Sequence, residues 1–527
     1  MLPALDHGWS GLLAAYALAA LGLLAGLALR RESPTAILRR LPLAALIVAI
    51  AALLCWAVIR EAGAQAFAAI PRGLTLLLGM GFTLLAGALA GLVAPRATPE
   101  AIVRRGTRLV DAVITRADER SARAGGAATD SPDGVILTFA GQPLARADES
   151  KHFKLIGTTG TGKSTVIREL LRGALARGDR AVIADPDGGY LGAFHDAARG
   201  DMVLNPFHPL AACWDLFGEI VEPHDADQLA RSLIADYDDP DRNWRHYGRT
   251  LLTAILRQLH EVGERDLGRL YHLLLTAPVA ELRELLAATP AAPFLGQENL
   301  KFFESVRSIA SVHLAAIEHL ARQKSGDALS VRAWIRTGRG VLFLPYRANE
   351  IAALRHLVST WMRLAIFEAM NEEESDRRLW FIVDELDALG SIDGLKDALA
   401  RLRKFGGRCV LGFQSIAQVR GTYGDAEAQT IIENCGNTLI LRCSASERGG
   451  TAEFASRLIG QREIIREQIS VTRGAGFASG ARATRTHSEH HTLEQAVMAS
   501  EIEQLPDLAG VLKVVSRPQW QRVVIPR

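Results

Sequence analysis

The sequence predicts an α/β protein with an all-helical insertion, preceded by a helical membrane region. Three observations carry that prediction. From Phe153 onward, short apolar runs alternate with helix-patterned segments, the mark of an α/β sheet. Residues 222–337 have helical periodicity and almost no strand signal. Within the first 95 residues, three stretches contain no charged residue: Ser10–Leu29, Leu41–Ile59 and Gly73–Pro95.

Those three runs account for the apolar excess. The chain has 527 residues, 49% hydrophobic and 22% charged, with a mean hydropathy of +0.11. This excludes a disordered polymer, and the length calls for two to four domains. Gly and Pro show no period and Leu no sustained heptad, so collagen and coiled-coil rods are excluded. Each run has about the ~20 residues a helix needs to cross the hydrocarbon layer. A buried bundle would be the soluble alternative, but the runs have no polar face to show water. No basic residue precedes the first run, which argues against a cleaved signal peptide. Arg30, Arg31, Arg39 and Arg40, against the single Glu32, place the first loop in the cytoplasm. Arg96, Arg104, Arg105 and Arg108 do the same after the third run, so the expected topology is three spans with the N-terminus outside. Gly79, Gly81, Gly87 and Gly91 would let helices approach closely there.

The expected domains are a membrane region (1–96), a connector (97–150), a nucleotide-binding domain (151–221 and 338–527) and the helical insertion (222–337). The connector reads as a helix over Glu100–Ala122, a loop, and a hairpin from Val135–Phe139 into Gln142–Arg146. The expected strands are Phe153–Ile156, Ala181–Ala184, Gly340–Pro345, Leu379–Val383, Cys409–Phe413, Thr438–Arg442 and Val511–Val515. Net charge is only +2, so any nucleic-acid surface must be local. Five scattered cysteines without a CxxC pair suggest neither zinc nor a disulfide framework, and fit a reducing compartment.

The sequence Gly157-Thr158-Thr159-Gly160-Thr161-Gly162-Lys163-Ser164-Thr165 fits GxxxxGK[ST], follows the strand FKLI and opens a helix. That context distinguishes a phosphate-binding loop from a chance glycine-rich turn. Its backbone N–H groups wrap phosphates, Lys163 reaches the β- and γ-phosphates, and Ser164 binds Mg²⁺. The run Leu379–Val383 ends in Asp384-Glu385. An apolar strand ending in two acids is common by itself. Beside the loop it gains meaning, with Asp384 completing the Mg²⁺ shell and Glu385 polarising the attacking water. ATP hydrolysis is the expected chemistry.

Gln414 ends the following strand, either as a polar cap or as a sensor of the γ-phosphate. Arg403, in Arg401-Leu-Arg403-Lys404, is either a solvated helix end or an arginine finger for a neighbouring subunit. Asp185-Pro-Asp-Gly-Gly-Tyr190 lines the nucleotide or DNA face, or is a plain turn. His487, His490 and His491 lie in Thr472–Thr492, which reads as a mobile loop rather than a metal site. Its Arg473, Arg482 and Arg485 are available to phosphate.

Taken together, the chain resembles the type IV secretion coupling proteins, the TraD/TraG/TrwB group of conjugative DNA-transfer ATPases. The likeness rests on the N-terminal runs, GTTGTGKST, AVIADPDGGYLGAFHDAARGDMVLNPFHPLAACWDLF, FIVDELDAL, RLRKFGGRCVLGFQS and LPDLAGVLKVV. It implies a RecA-like P-loop NTPase domain in a homo-hexameric ring on the inner membrane, with single-stranded DNA along the axis. Relaxase and relaxosome proteins and secretion-channel components would be partners. By motif position it implies Lys163 and Ser164 as the Walker A pair, Asp384 and Glu385 as Walker B, Gln414 as the motif after it and Arg403 as a trans finger. Two departures stand out: the family commonly shows two spans, and this C-terminus has no long acidic tail. A coupling ATPase for protein-only export is one alternative. An FtsK-like translocase would usually end in a winged helix, and an ABC transporter would show an LSGGQ-type signature before Walker B. A non-catalytic docking scaffold is disfavoured by the intact Lys163, Asp384 and Glu385.

Overall fold

The structure is a computed structural model that describes residues 17–25, 84–89, 102–111, 136–235, 240–323, 326–371, 378–446, 449–473 and 483–526. The chain divides into two units, 1–102 with 465–490, and 103–464 with 491–527.

The larger unit is organised by one sheet. Its strands in chain order are β1 (Leu109–Asp111), β2 (Phe153–Ile156), β3 (Arg180–Pro186), β4 (Met202–Val203), β5 (Val341–Tyr346) and β6 (Leu379–Val383). They are followed by β7 (Gly407–Phe413), β8 (Asn437–Ile440), β9 (Ala509–Lys513) and β10 (Trp520–Val524). In space the order is β1-β10-β9-β8-β2-β7-β6-β3-β5-β4. From β8 to β4 every pairing is parallel. Only β9 runs against its neighbours. Every residue of β2, β5, β6, β7 and β8 is buried, as expected of strands covered on both faces. Alternation sorts them into two layers. Trp380 and Ile382 face one side with Val166, Ile167 and Leu170 of helix α1 (Lys163–Ala176). Phe381 and Val383 face the other with Trp361 and the helical insertion. The seven strands read from apolar runs are present, with ends shifted by a residue or two. Strands β1, β4 and β10 are too short or too polar to show in the sequence.

Helices dominate the segment between β4 and β5. The principal ones are α2 (Pro223–Leu233), α3 (Arg242–Glu261) and α4 (Leu300–Arg322). A capping box of Glu222 and Asp225, with Pro223 in the first turn, starts α2. The two ends of the segment are tied together. Cys213–Trp214 pairs in parallel with Ala328–Leu329. The buried Glu219 carboxylate accepts from Trp214 Nε1 (2.8 Å), Ser330 Oγ (3.1 Å), Val331 N (2.6 Å) and Arg332 N (3.0 Å).

Three expectations need correction. First, residues 102–106 and 109–111 are strands, not the start of a helix. Ile102, Val103 and Val110 are β-branched, and Gly106 breaks the run at φ +100°. The hairpin that follows is shorter than expected: Thr138–Phe139 pairs with Gln142–Pro143 around a left-handed Ala140-Gly141 turn. Second, the expected loop at 472–492 contributes to strands Gln461–Arg473 and Ala483–Gln495. The β-branched Ile464, Ile465, Ile469 and Val471 in the sequence favour the first of these strands. Arg482 and the side chains of Arg473, Arg485 and His487 lie outside the described residues.

Third, among the described residues no helix is long and apolar enough to cross a membrane. Residues 17–25 are described as helix. In the smaller unit this helix and the one at 84–89 meet backbone to backbone. A Cβ on Gly22 would lie 2.2 Å from Leu84 O, and one on Gly87 2.4 Å from Ala19 O. Residues 41–59, and the rest of 10–29 and 73–95, lie outside the described residues. The expected transmembrane region, the multi-pass inner-membrane placement and the membrane as partner are corrected accordingly.

Replacing Glu219 with Ala strands several buried donors at once. Unfolding in urea should show a loss of about 3 kcal/mol.

Candidate nucleotide-binding site

The site sits at the carboxyl edge of the parallel strands. Strand β2 leaves the sheet at Ile156 and the chain re-enters helix at Lys163. The intervening turn needs Gly162 at φ +118°, where a Cβ would also lie 2.9 Å from Leu508 Cδ2. The turn is tied down by Thr161 Oγ1 donating to Thr158 O (2.7 Å) and Thr158 N donating to Arg442 O (2.9 Å). Lys163 Nζ donates back to Gly157 O at 2.6 Å. The N-terminus of α1 then presents unpaired N–H groups and the positive end of its dipole to the turn.

Strand order does the rest. Because β7 lies between β2 and β6, three strand ends meet side by side. Ser164 Oγ donates to Asp384 Oδ2 at 2.6 Å, joining the turn to the acidic pair. Gln414 Nε2 donates to Glu385 Oε1 (2.8 Å), and its own Oε1 accepts from Thr159 Oγ1 (2.9 Å). A cavity of about 360 Å³ lies over the turn, bounded by Lys163, Asp384, Glu385 and Gln414 and, across it, by Asp507 and Leu508. Burial raises the pKa of Glu385, and Asp384 and Asp387 add to that. Gln414 and Lys163 pull against it. Burial lowers the pKa of Lys163, opposed by Asp384 and Glu385.

Two participants carry no signal in the motif itself. Tyr190, buried behind the site, donates its hydroxyl to Asp384 Oδ2 at 2.8 Å. The segment Asp507-Leu508 closes over the turn, with Leu508 N donating to Thr161 O (3.0 Å) and Leu508 itself at φ +62°. Asp185 is a turn residue. Its carboxylate accepts from Tyr190 N (3.0 Å) and Leu191 N (2.7 Å), and burial pushes it up to about 6. His491 Nδ1 lies 2.9 Å from Glu463 Oε1, and Arg105 also pairs with that glutamate; His490 is exposed.

Arg403 is not brought to this edge. It is exposed, just after the helix Leu395–Leu402 and before β7 begins. Gln414 follows the far end of that seven-residue strand, about 20 Å away along it.

A phosphate-binding turn between strand and helix, facing an acidic strand end one strand removed, defines a P-loop nucleotide-binding protein with a RecA-like fold and a helical insertion. Residues 136–526 match the family described as the type IV secretion-system coupling protein DNA-binding domain, and the chain belongs to that family. It is 33% identical over 374 residues to coupling protein TraD of Escherichia coli K12, covering 69% of this chain and 51% of that protein. It is 25% identical over 316 residues to an Escherichia coli conjugal transfer protein TraG, covering 53% and 49%. The chain thus spans about half the length of the curated relatives it matches. Among solved structures, plasmid coupling protein TrwB in complex with ADP and Mg²⁺ superposes with a TM-score of 0.68 at 29% identity, over 82% of this chain and 95% of that one. TrwB with the ATP analogue ADPNP gives 0.68 at 30%, over 82% and 96%.

Gly412, in β7, lies against Asp384: a Cβ there would lie 2.2 Å from Asp384 O and 3.0 Å from its Oδ1. Gly412→Ala should cost about 1–3 kcal/mol of stability in a urea titration.

Proposed function

We propose that this chain is an ATP-hydrolysing coupling protein that drives DNA into a type IV secretion channel during conjugation. The observation that carries the reading is the pair of hydrogen bonds, Ser164 to Asp384 and Gln414 to Glu385, that joins the phosphate-binding turn to the two acids. Membership of the family supports DNA, relaxosome proteins and channel components as partners, and a homo-hexameric ring as the working assembly.

The donor set fits Mg²⁺. Ser164 offers a hydroxyl, and Asp384 offers a carboxylate whose Oδ1 is buried without a hydrogen-bond partner among the described residues. When bound, Mg²⁺ supplies neutralisation of phosphate charge. Residues 157–165 cradle the phosphates, and Lys163 contacts the β- and γ-phosphates. Glu385 takes a proton from the water that attacks the γ-phosphorus, and its raised pKa makes it a stronger base than a solvated glutamate. Gln414 orients Glu385 and senses the γ-phosphate. Arg403 acts on the site of a neighbouring subunit, since it lies on the opposite edge from its own. The hydrolysis cycle shifts the subunit interfaces and moves DNA held by sequence-tolerant backbone contacts.

Lys163→Ala and Glu385→Gln should each lower DNA-stimulated phosphate release by about 10²-fold or more. Wild-type turnover in either variant refutes the site. Arg403→Ala should be inactive alone and regain activity when mixed with Lys163→Ala, as a trans finger requires.

Gln414→Ala removes a contact that lowers the Glu385 pKa, so that pKa rises further. Glu385 must be ionised to accept a proton. The acidic limb of the pH–rate profile should therefore move to higher pH, while a limb that stays in place excludes Glu385 as the base.

A further inference from the structure

Tyr190 is one of the largest fully enclosed side chains of the fold, yet its hydroxyl ends on a carboxylate rather than on backbone. The turn that carries it is held from both ends. Asp187 (φ +57°) and Gly188 (φ +68°) bend the chain after β3, and the Asp185 carboxylate accepts from Tyr190 N and Leu191 N. From the other side, the Arg168 guanidinium of α1 lies 5.6 Å from the centre of the Tyr190 ring. The ring therefore has little freedom. Its hydroxyl reaches Asp384 Oδ2 at 2.8 Å, the same oxygen that accepts from Ser164 at 2.6 Å. Oδ1 of the same carboxylate is buried and has no donor among the described residues. The two oxygens of Asp384 are thus unequal, one fully engaged by protein and one not.

We propose that Tyr190 is a positioning residue for divalent-cation binding. Its O–H holds Oδ2 and fixes the carboxylate plane beside Ser164, whose hydroxyl donates to the same oxygen and would hold Mg²⁺. A donor that orients a metal-binding carboxylate typically accounts for 10- to 100-fold in metal affinity. This role rests on the nucleotide-site reading above and extends it to a residue from a fourth strand end, β3. It gives the ADPDGGY turn a function that neither the phosphate-binding motif nor the acidic pair contains.

The test is binding of a fluorescent ADP to the full chain in excess MgCl₂ and in EDTA, which needs no turnover. Tyr190→Phe keeps the ring and removes only the hydroxyl. The ratio of the two dissociation constants should fall by roughly 10-fold, with the EDTA affinity unchanged and the thermal midpoint lowered by only a few degrees. In an Asp384→Asn background, Tyr190→Phe should cause no additional loss. An unchanged Mg²⁺ dependence in Tyr190→Phe overturns the proposal. So does an equal loss of affinity in EDTA, or a further loss in the Asp384→Asn background. If the wild-type chain itself shows no Mg²⁺ dependence, the nucleotide-site reading fails, and this proposal with it.

Discussion

The site depends on a single carboxylate. Asp384 closes β6, and its Oδ2 is shared by a hydroxyl from the phosphate-binding turn and a phenol from the turn after β3. Three separate chain segments are held in register by that one oxygen. The arrangement is possible because the sheet places β7 between β2 and β6 and β3 on the far side of β6, so four strand ends converge. It also requires the chain to pass very close behind Asp384. Gly412 allows this, where any Cβ would collide with the aspartate's own carbonyl.

Bringing Asp185, Asp384, Glu385 and Asp387 to one sheet edge concentrates negative charge, and the pKa directions record the cost. Asp185 is pushed up to about 6, Glu385 is raised, and the Tyr190 and Tyr346 hydroxyls are raised as well. Burial is the leading cause in each case, with the neighbouring carboxylates adding to Glu385 and to both tyrosines. Both tyrosines stay neutral at physiological pH, and Tyr190 donates to Asp384. Lys163, Arg168 and the first turn of α1 supply compensating positive charge. On the proposed reading, a nucleotide with its cation would bring mixed charge to a site already balanced between a basic turn and an acidic strand end.

Much of this was legible in the sequence because local chemistry encodes it. A strand buried on both faces must be apolar throughout, which is why FKLI, LWFIV and the runs around Phe343 and Val410 stand out. The glycine turn is likewise legible, since only glycine tolerates φ +118° at position 162. What could not be read depends on contacts distant in sequence. Tyr190 meets Asp384 across 194 positions, and Leu508 closes on Thr161 from the other end of the domain. The Asp185–Tyr190 segment reads in sequence as a nucleotide or DNA face or a plain turn, and only the fold brings its Tyr190 onto Asp384; nothing in Leu508 signals a site. The strands at 102–106 and 461–473 were hidden for a different reason. Arg104, Arg105 and Glu463 place charges among their β-branched residues, and the ion pairs that reconcile those charges form only once the strands are brought together. The membrane expectation treated uncharged length as sufficient. Among the described residues no helix is long and apolar enough to cross a membrane, and the helices at 17–25 and 84–89 approach each other's backbone at Gly22 and Gly87.

Arg403 shows how far the geometry of one chain reaches. It and Gln414 bracket the same strand, so the rigidity that aligns Gln414 with Glu385 also fixes Arg403 at the opposite edge. No rotamer change brings that guanidinium to its own phosphate-binding turn, because seven residues of fully buried parallel strand lie between them. A hinge within β7 is equally excluded, since β2 and β6 hydrogen-bond to it on both sides. If Arg403 takes part in hydrolysis, as proposed, the copy it serves must be another one. Its exposure is then a requirement of the chemistry, and the strand that separates it from its own site keeps each chain's finger available to a neighbour.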